Sequence, residues 1–509
     1  MGGSAGVAGL RPARPHEMMG AATPKTDGTY RDLTKDHAMP TPMPADQIEF
    51  HAWQAHPATT AAGRQAFADG DHDGTRVGDL GLTVDHLSGP VAFADPFVDT
   101  PDGEVTRVAD AAPVDYRCAT WTSPLHSLGL IPDEIIVSWN ARTPGRSWIE
   151  VQIQPWATTP DTAPTPSSRT ADGDVVASPA DTAPASWFTM ARWCEKLPAQ
   201  GGGIHRASVD GQADDVAVVY TDTLRARGTR TITGYRLRVT LFCPADESEL
   251  PVVSLLGAVA SRTPTLTTPE HLGEGAPTDL TGTSTSTSTS TSTSTSTVTP
   301  ATTSARSIEI PVPTLSQMTH CGQYPQWGGG GGSWCSATSV AMVMTRYQVG
   351  PSPEDLAWVQ PADDAIVPFS ARATWDHQYG GAGNWAFSAV YPAEYGLTTF
   401  VTRLASVAQM EPFIAAGVPL AASVSFDAAE LDGAGYSTEG HLLVVVGFTD
   451  RGDVVVNDPA SHELADNDQV RVVYRRDQFE RVWLSGSAGT VYVIAAPGTA
   501  LPAGPSTGL

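Results

Sequence analysis

Lysine is scarce in this chain. Three occur, Lys25, Lys35 and Lys196, so the positive charge rests on arginine. That bias follows GC-rich coding and bears on no mechanism. Against 30 lysines and arginines stand 55 aspartates and glutamates, a formal net charge of −25. An acidic surface repels phosphate backbones and anionic lipid, so nucleic acid is not an expected partner. No apolar run reaches the ~18 residues of a membrane span, and no transmembrane segment is expected. There is no Gly-x-x-x-x-Gly-Lys loop to cradle a nucleotide, and neither cofactor nor metal is expected. Cysteine is also sparse: Cys118, Cys194, Cys243, Cys321 and Cys335. Five is too few for a disulfide scaffold, and an odd count leaves one unpaired within a chain.

The opening stretch MGGSAGVAGLRPARPHEMMG has no apolar core and does not read as a signal peptide. Other features lean outward, and the expected location is extracellular or cell-wall associated, with the cytoplasm left open.

The 509 residues exceed one core and suit two or three domains. Residues 1–45 read as a disordered tail. Residues 46–262 read as an all-β sandwich. In WIEVQIQ (148–154), Ile149, Val151 and Ile153 alternate with Glu150, Gln152 and Gln154, and YRLRVTLFC (235–243) alternates likewise. EIIVSWN (134–140), WFTMARWC (187–194) and DVAVVYTDTL (215–224) are further expected strands. Residues 155–185 read as a long loop. Residues 263–305 hold a Thr/Ser repeat with no core-forming residue and read as a flexible tether; such tracts are common O-glycosylated stalks.

Residues 306–497 change texture, and 498–509 read as a tail. ATSVAMVM after Cys335 has helical spacing, as do 384–395 and 406–416, with Gly417 just past an end. VPLAASVSF, HLLVVVGF, DVVVND and TVYVIAA read as strands. Helices first and an antiparallel sheet afterwards make an α+β domain.

Three residues in this half suit thiol chemistry. Cys335 opens a helix after a glycine run, where the helix dipole and free N–H groups favour a thiolate; a buried structural cysteine is the bland alternative. His441 opens an apolar strand after a glycine-rich loop. Asp458, in DVVVNDPA, is expected opposite His441 if 448–451 turn the hairpin, close enough to fix the imidazole. Taken singly, His441 also reads as a strand-end residue and Asp458 as a turn residue before Pro459.

Taken together, these motifs resemble the bacteriocin-processing, double-glycine leader peptidases, and more closely their stand-alone relatives. The resemblance covers about the last 200 residues. It rests on IPVPTLSQ before the cysteine, HLLVVVGF, the Asp-Pro and YRRDQFERVW. It departs in Cys335-Ser336-Ala337-Thr338-Ser339, where the family has Cys-Gly-Pro-Ala-Ser, and in the long gap from Gln317 to Cys335. It implies a papain-like cysteine peptidase with Cys335 as nucleophile, His441 as base, Asp458 as orienter and Gln317 as oxyanion donor, acting on a peptide or protein. Gln326 and Gln323 are the alternative donors. No transporter or ATPase segment follows, which leaves the substrate open. The β-rich half resembles the region preceding such domains in secreted bacterial relatives. Trp139, Trp148, Trp187 and Trp193 are candidates for a carbohydrate or cell-wall contact, although alternating strand tryptophans are more often core. A Cys321–Cys335 disulfide is not expected; Cys194–Cys243 is the pair to expect if any forms. Two other functions fit the sequence: a non-catalytic binding or adhesive protein with a degenerate peptidase fold, and a cell-wall peptide amidase.

Overall fold

The computed structural model describes residues 47–54, 64–101, 103–158, 166–169, 175–177, 182–262 and 307–507. The expected N-terminal tail and the Thr/Ser tether lie outside the described residues.

The N-terminal half contains two eight-stranded sheets. The first runs through Ala217–Tyr220, Thr223–Ala226, Glu134–Arg142, Val252–Ser261, Ile48–Gln54 and Arg64–Ala66. The second is centred on Trp148–Thr158, Ile232–Cys243 and Val114–Thr122. Along Trp148–Thr158 burial alternates strictly after Trp148, as expected of a strand with one wet face. DVAVVYTDTL is not one strand. It folds into the hairpin Ala217–Tyr220 and Thr223–Ala226, because Thr221 takes a left-handed φ of 52° and turns the chain within two residues. The region 155–185 is not wholly loop: Trp148–Thr158 continues the strand, and Thr182–Pro184 pairs back onto it.

The tryptophans do not form a shared outer face. Trp139, Trp148 and Trp193 are buried. Trp148 stacks on Phe242 at 3.9 Å, and only Trp187 is half-buried, beneath the Arg238 guanidinium at 3.8 Å.

The C-terminal half builds six α-helices: α1 Cys335–Arg346, α2 Pro353–Leu356, α3 Ile366–Thr374, α4 Trp385–Val390, α5 Val407–Ala415 and α6 Arg476–Ser487. Ser352 caps α2 by accepting from Asp355 N–H, and Gly417 takes a φ of 77° just past α5. A seven-stranded antiparallel sheet follows the order Thr398–Arg403, Thr490–Ala495, Leu420–Phe426, Thr438–Phe448, Val454–Asn457, Arg471–Tyr474, with Ile308–Glu309 on the fourth strand. Among the described residues no helix is long and apolar enough to cross a membrane.

The two halves share one hydrophobic core. In the strand Glu134–Arg142 every residue from Ile135 to Ala141 is buried, because both faces are covered. Ser138 and Asn140 face the C-terminal half: Val401 N–H donates to Ser138 Oγ at 2.9 Å, and Asn140 Nδ2 donates to Thr399 O at 2.6 Å. Trp139 and Trp193 meet Phe387 of α4 at ring separations of 6.1 and 5.1 Å. The buried Arg403 guanidinium ion-pairs with Glu134, which Arg225 also contacts at 2.8 Å. Burial would raise the Glu134 carboxyl; the two guanidinium groups hold it below its usual range instead. The residues expected as a C-terminal tail are ordered to 507, since Phe50 N–H donates to Pro505 O at 2.8 Å and Thr402 Oγ1 to Ser506 O at 2.6 Å.

Candidate active site

Cys335 is the first residue of α1, whose opening N–H groups have no intrahelical acceptors. The helix is fixed at its start. Ser336 Oγ donates to Ser388 Oγ of α4 at 2.8 Å and lies 3.0 Å from the Tyr492 hydroxyl, while Ser339 Oγ donates to Leu442 O at 3.0 Å. That last bond ties the helix to the residue following His441. Ser336, where the resembled family has glycine, therefore fills a polar seat behind the cysteine.

His441 is buried on the strand Thr438–Phe448, and its Nε2 lies 2.8 Å from Asp458 Oδ1. The two do not pair directly across the hairpin. The observed register joins Val444 to Asn457, with a bulge between Val445 and Gly447, and the strand ends before Asp458. The turn is longer than 448–451: Thr449 N–H bonds Asp453 O at 2.9 Å around Gly452, so the register slips and side-chain reach closes the gap. Asn457 points elsewhere, donating to Val312 O and Pro313 O.

Nε2 is committed to the carboxylate, so Nδ1 is the nitrogen left for the Cys335 sulfur. Burial alone would raise the Cys335 thiol. The hydrogen bond and charge of His441, with backbone groups of Leu442 and Ser336, overcome burial and bring it below its ordinary value. Burial would lower the His441 imidazole, but the charge of Asp458 and bonds to Asp458 and Cys335 push it up to about 10. Asp458 is held below its ordinary value, because His441 and two tyrosine hydroxyls outweigh its burial. The arrangement sets a lowered thiol beside a raised imidazole, with a buried carboxylate behind the ring.

Two contributors gave no readable signal in sequence. Tyr436 OH donates to both Asp458 oxygens at 3.0 and 2.9 Å, and Tyr474 OH donates to Oδ2 at 2.6 Å. Single tyrosines in a loop and at a strand end carry no spacing signature.

Gln317 opens a one-turn helix, Gln317–His320, and is buried. Its N–H donates to Pro459 O at 3.0 Å, its Nε2 donates to Gly331 O, and its Oε1 is buried without a hydrogen-bond partner among the described residues. Gln326 is exposed, and Gln323 Oε1 is bound by His320 Nδ1 at 2.8 Å. The IEIPVP segment pairs over Ile308–Glu309, and Ile310 N–H also donates to Val446 O at 2.8 Å. Gly328 to Gly331 all have φ between 53° and 84°; a Cβ on Gly330 would meet His320 O at 2.4 Å.

All five cysteines are free. Cys194 Sγ donates to Ile204 O at 3.1 Å rather than pairing with Cys243, and burial pushes both thiols up to about 12. Among the described residues no cluster of three or more His, Cys, Asp and Glu side chains is placed to hold a metal ion.

A family model described as Peptidase C39 N-terminal domain matches residues 58–165 and 161–261, and one described as Peptidase_C39 like family matches residues 309–490. These matches support the peptidase C39 family. The C39-like domain thus holds Cys335, His441, Asp458 and Gln317, and the preceding β-rich half matches as the C39 N-terminal domain. A solved chain described as a C39-like peptidase from Bacillus anthracis is 16% identical, covering 36% of this chain and 96% of its own, with a TM-score of 0.24. No curated protein matches. A cysteine peptidase family implies a peptide or protein substrate.

Proposed function

We propose that the C39-like domain hydrolyses peptide bonds with Cys335 as nucleophile, His441 as acid–base, Asp458 as orienting carboxylate and Gln317 as side-chain oxyanion donor. The observation carrying this reading is the buried His441–Asp458 contact of 2.8 Å beside a helix-start thiol held below its ordinary value.

The Cys335 thiolate attacks the carbonyl carbon, and the carbonyl oxygen takes the negative charge. The Cys335 backbone N–H and the Gln317 amide receive that oxyanion. Gln317 Nε2 carries two N–H groups, so one can stay on Gly331 O while the other meets the oxyanion. The imidazolium of His441 gives its proton to the departing amine as the C–N bond breaks. Water then attacks the thioester, losing a proton to His441, and the acid leaves with the thiolate restored.

Within the family, the segment IPVPTLSQ and the Asp-Pro support a place near the stand-alone relatives of the double-glycine leader peptidases. The Thr/Ser tract supports an extracellular or cell-wall location, which secretion of the intact chain into medium would test. A carbohydrate contact of the N-terminal domain has only Trp187 left to support it.

Peptide-library cleavage with the full chain tests the activity. Hydrolysis that vanishes in Cys335→Ala, with the fold intact by circular dichroism, is expected. Unchanged hydrolysis in that variant would sink the assignment, and failure to cleave any peptide while cell-wall peptides are cleaved would shift it to the amidase reading.

A further inference from the structure

Asp458 has an unusual set of neighbours for a carboxylate that must stay ionised. It is fully buried, and among the described residues neither lysine nor arginine contacts it. Its Oδ1 receives His441 Nε2 at 2.8 Å, Ala460 N–H at 3.0 Å and Tyr436 OH at 3.0 Å. Its Oδ2 receives Tyr474 OH at 2.6 Å and Tyr436 OH at 2.9 Å. The tyrosines arrive from different elements. Tyr474 ends the strand Arg471–Tyr474, while Tyr436 comes from the glycine-rich loop before His441 and also packs edge-on against the His441 ring at 5.6 Å.

We propose that Tyr436 and Tyr474 are positioning residues of the triad, whose hydroxyls, in place of a cation, keep Asp458 ionised and turned toward His441. The inference rests on the peptidase reading above and adds to it how the carboxylate is held. Burial in low dielectric favours the neutral acid, and hydrogen bonds donated to the charged form reverse that preference. A protonated Asp458 would no longer stabilise imidazolium, and the thiolate would lose its counter-charge. Two donors from different elements also lock the carboxylate plane, since Oδ2 cannot turn toward the ring without breaking the Tyr474 bond. Both phenols are buried and their ionisation is pushed upward, first by burial and then by Asp458, so they remain neutral donors wherever the triad works.

The titratable groups facing the pair are few. Asp458 meets His441, Tyr436 and Tyr474, and His441 meets in addition Cys335 of α1. The proposal is tested on the full chain by alkylation of Cys335 with neutral iodoacetamide and anionic iodoacetate as a function of pH. The acid limb with iodoacetamide reads thiolate formation. The alkaline fall of the iodoacetate-to-iodoacetamide rate ratio reads loss of the imidazolium proton. In the Tyr436→Phe, Tyr474→Phe double variant, the alkaline limb is expected to move down by about one pH unit, because the imidazolium loses the charge that holds its proton. In an Asp458→Asn background the same tyrosine changes are expected to move neither limb. A folded double variant with the alkaline limb unmoved overturns the proposal, even if the plateau rate falls, because a merely structural role lowers the rate without shifting that limb. If the double variant does not fold, Tyr436→Phe alone decides, its side chain coming from a loop. If Asp458→Asn itself leaves the limbs in place, the peptidase reading falls and takes this one with it. If Asp458→Asn moves them and the tyrosines do not, only this one falls.

Discussion

Cys335 and Cys321 carry the same thiol fourteen residues apart in surroundings of opposite kind. Cys321 is exposed in a loop; Cys335 is half-buried at a helix start against His441. Reactivity follows the thiolate fraction, so Cys335 should alkylate fastest of the five near neutral pH, and His441→Ala should slow it toward an ordinary thiol. Mass-spectrometric mapping after brief iodoacetamide treatment checks this, with Cys321→Ser as control; faster labelling of Cys194 or Cys243, whose thiols sit near 12, would contradict it. The same charges shape the pH profile. In the proposed mechanism, the lowered Cys335 lets the ion pair form below the usual thiol range, and His441, pushed up to about 10, lets it persist into alkaline pH. A bell-shaped rate profile broad across neutral and mildly alkaline pH is expected. At the oxyanion, Gln317→Ala should lower kcat by about 10²–10³-fold, whereas Gln326→Ala, at an exposed position, should leave it near the parent value. Equal losses in the two variants would reassign the donor.

At the scale of elements, two loops aim the site. The glycine run holds the Gln317 amide through Gly331 O, its left-handed angles disfavour side chains, and at Gly330 a Cβ has no room. Gly330→Ala forces a Cβ onto His320 O at 2.4 Å, so it should cost about 1–3 kcal/mol and slow Cys335 alkylation together with hydrolysis. A melting temperature and labelling rate both equal to the parent's would show that the loop can shift freely. The hairpin carrying His441 and Asp458 teaches something about register. Its strands were readable from HLLVVVGF and DVVVND, but the turn length and the bulge between Val445 and Gly447 set which residues oppose. The His441–Asp458 contact survives because Asp458 lies past the ladder, free to reach back to the ring.

At the scale of the molecule, the described parts of the two halves are joined through one core. Ser138, Asn140, Trp139, Trp193 and the Glu134–Arg403 pair join the two halves. Proteolysis within 263–305 is expected to nick the chain while the fragments co-elute in gel filtration; separate elution would mean the interface does not hold them. Glu134→Ala strands the buried Arg403 and should cost about 3–5 kcal/mol, releasing the fragments. The pH sign follows from the lowered Glu134 carboxyl: its contribution is full above the unfolded carboxylate range and is lost as pH falls through the folded value. Fragment association should therefore weaken in acid and hold at neutral pH.

The composition, the alternation in WIEVQIQ and YRLRVTLFC, and the helical spacing after Cys335 determined the element types, because side-chain period and turn chemistry are local properties. Cys335 was legible as a candidate from its helix start, whereas His441 lies inside its strand and Asp458 beyond the end of its own, so their meeting was not set by local pattern. Tertiary structure alone decided what those elements face. EIIVSWN reads as an apolar run in either setting, and only docking of the C39-like domain explains why Ser138 and Asn140 are buried with it. Trp139 and Trp193 became interface for the same reason, while Trp148 is packed within the N-terminal half. The phenols on Asp458 come from a loop and a strand thirty-eight residues apart, and no local pattern can announce a meeting that the folded chain brings about.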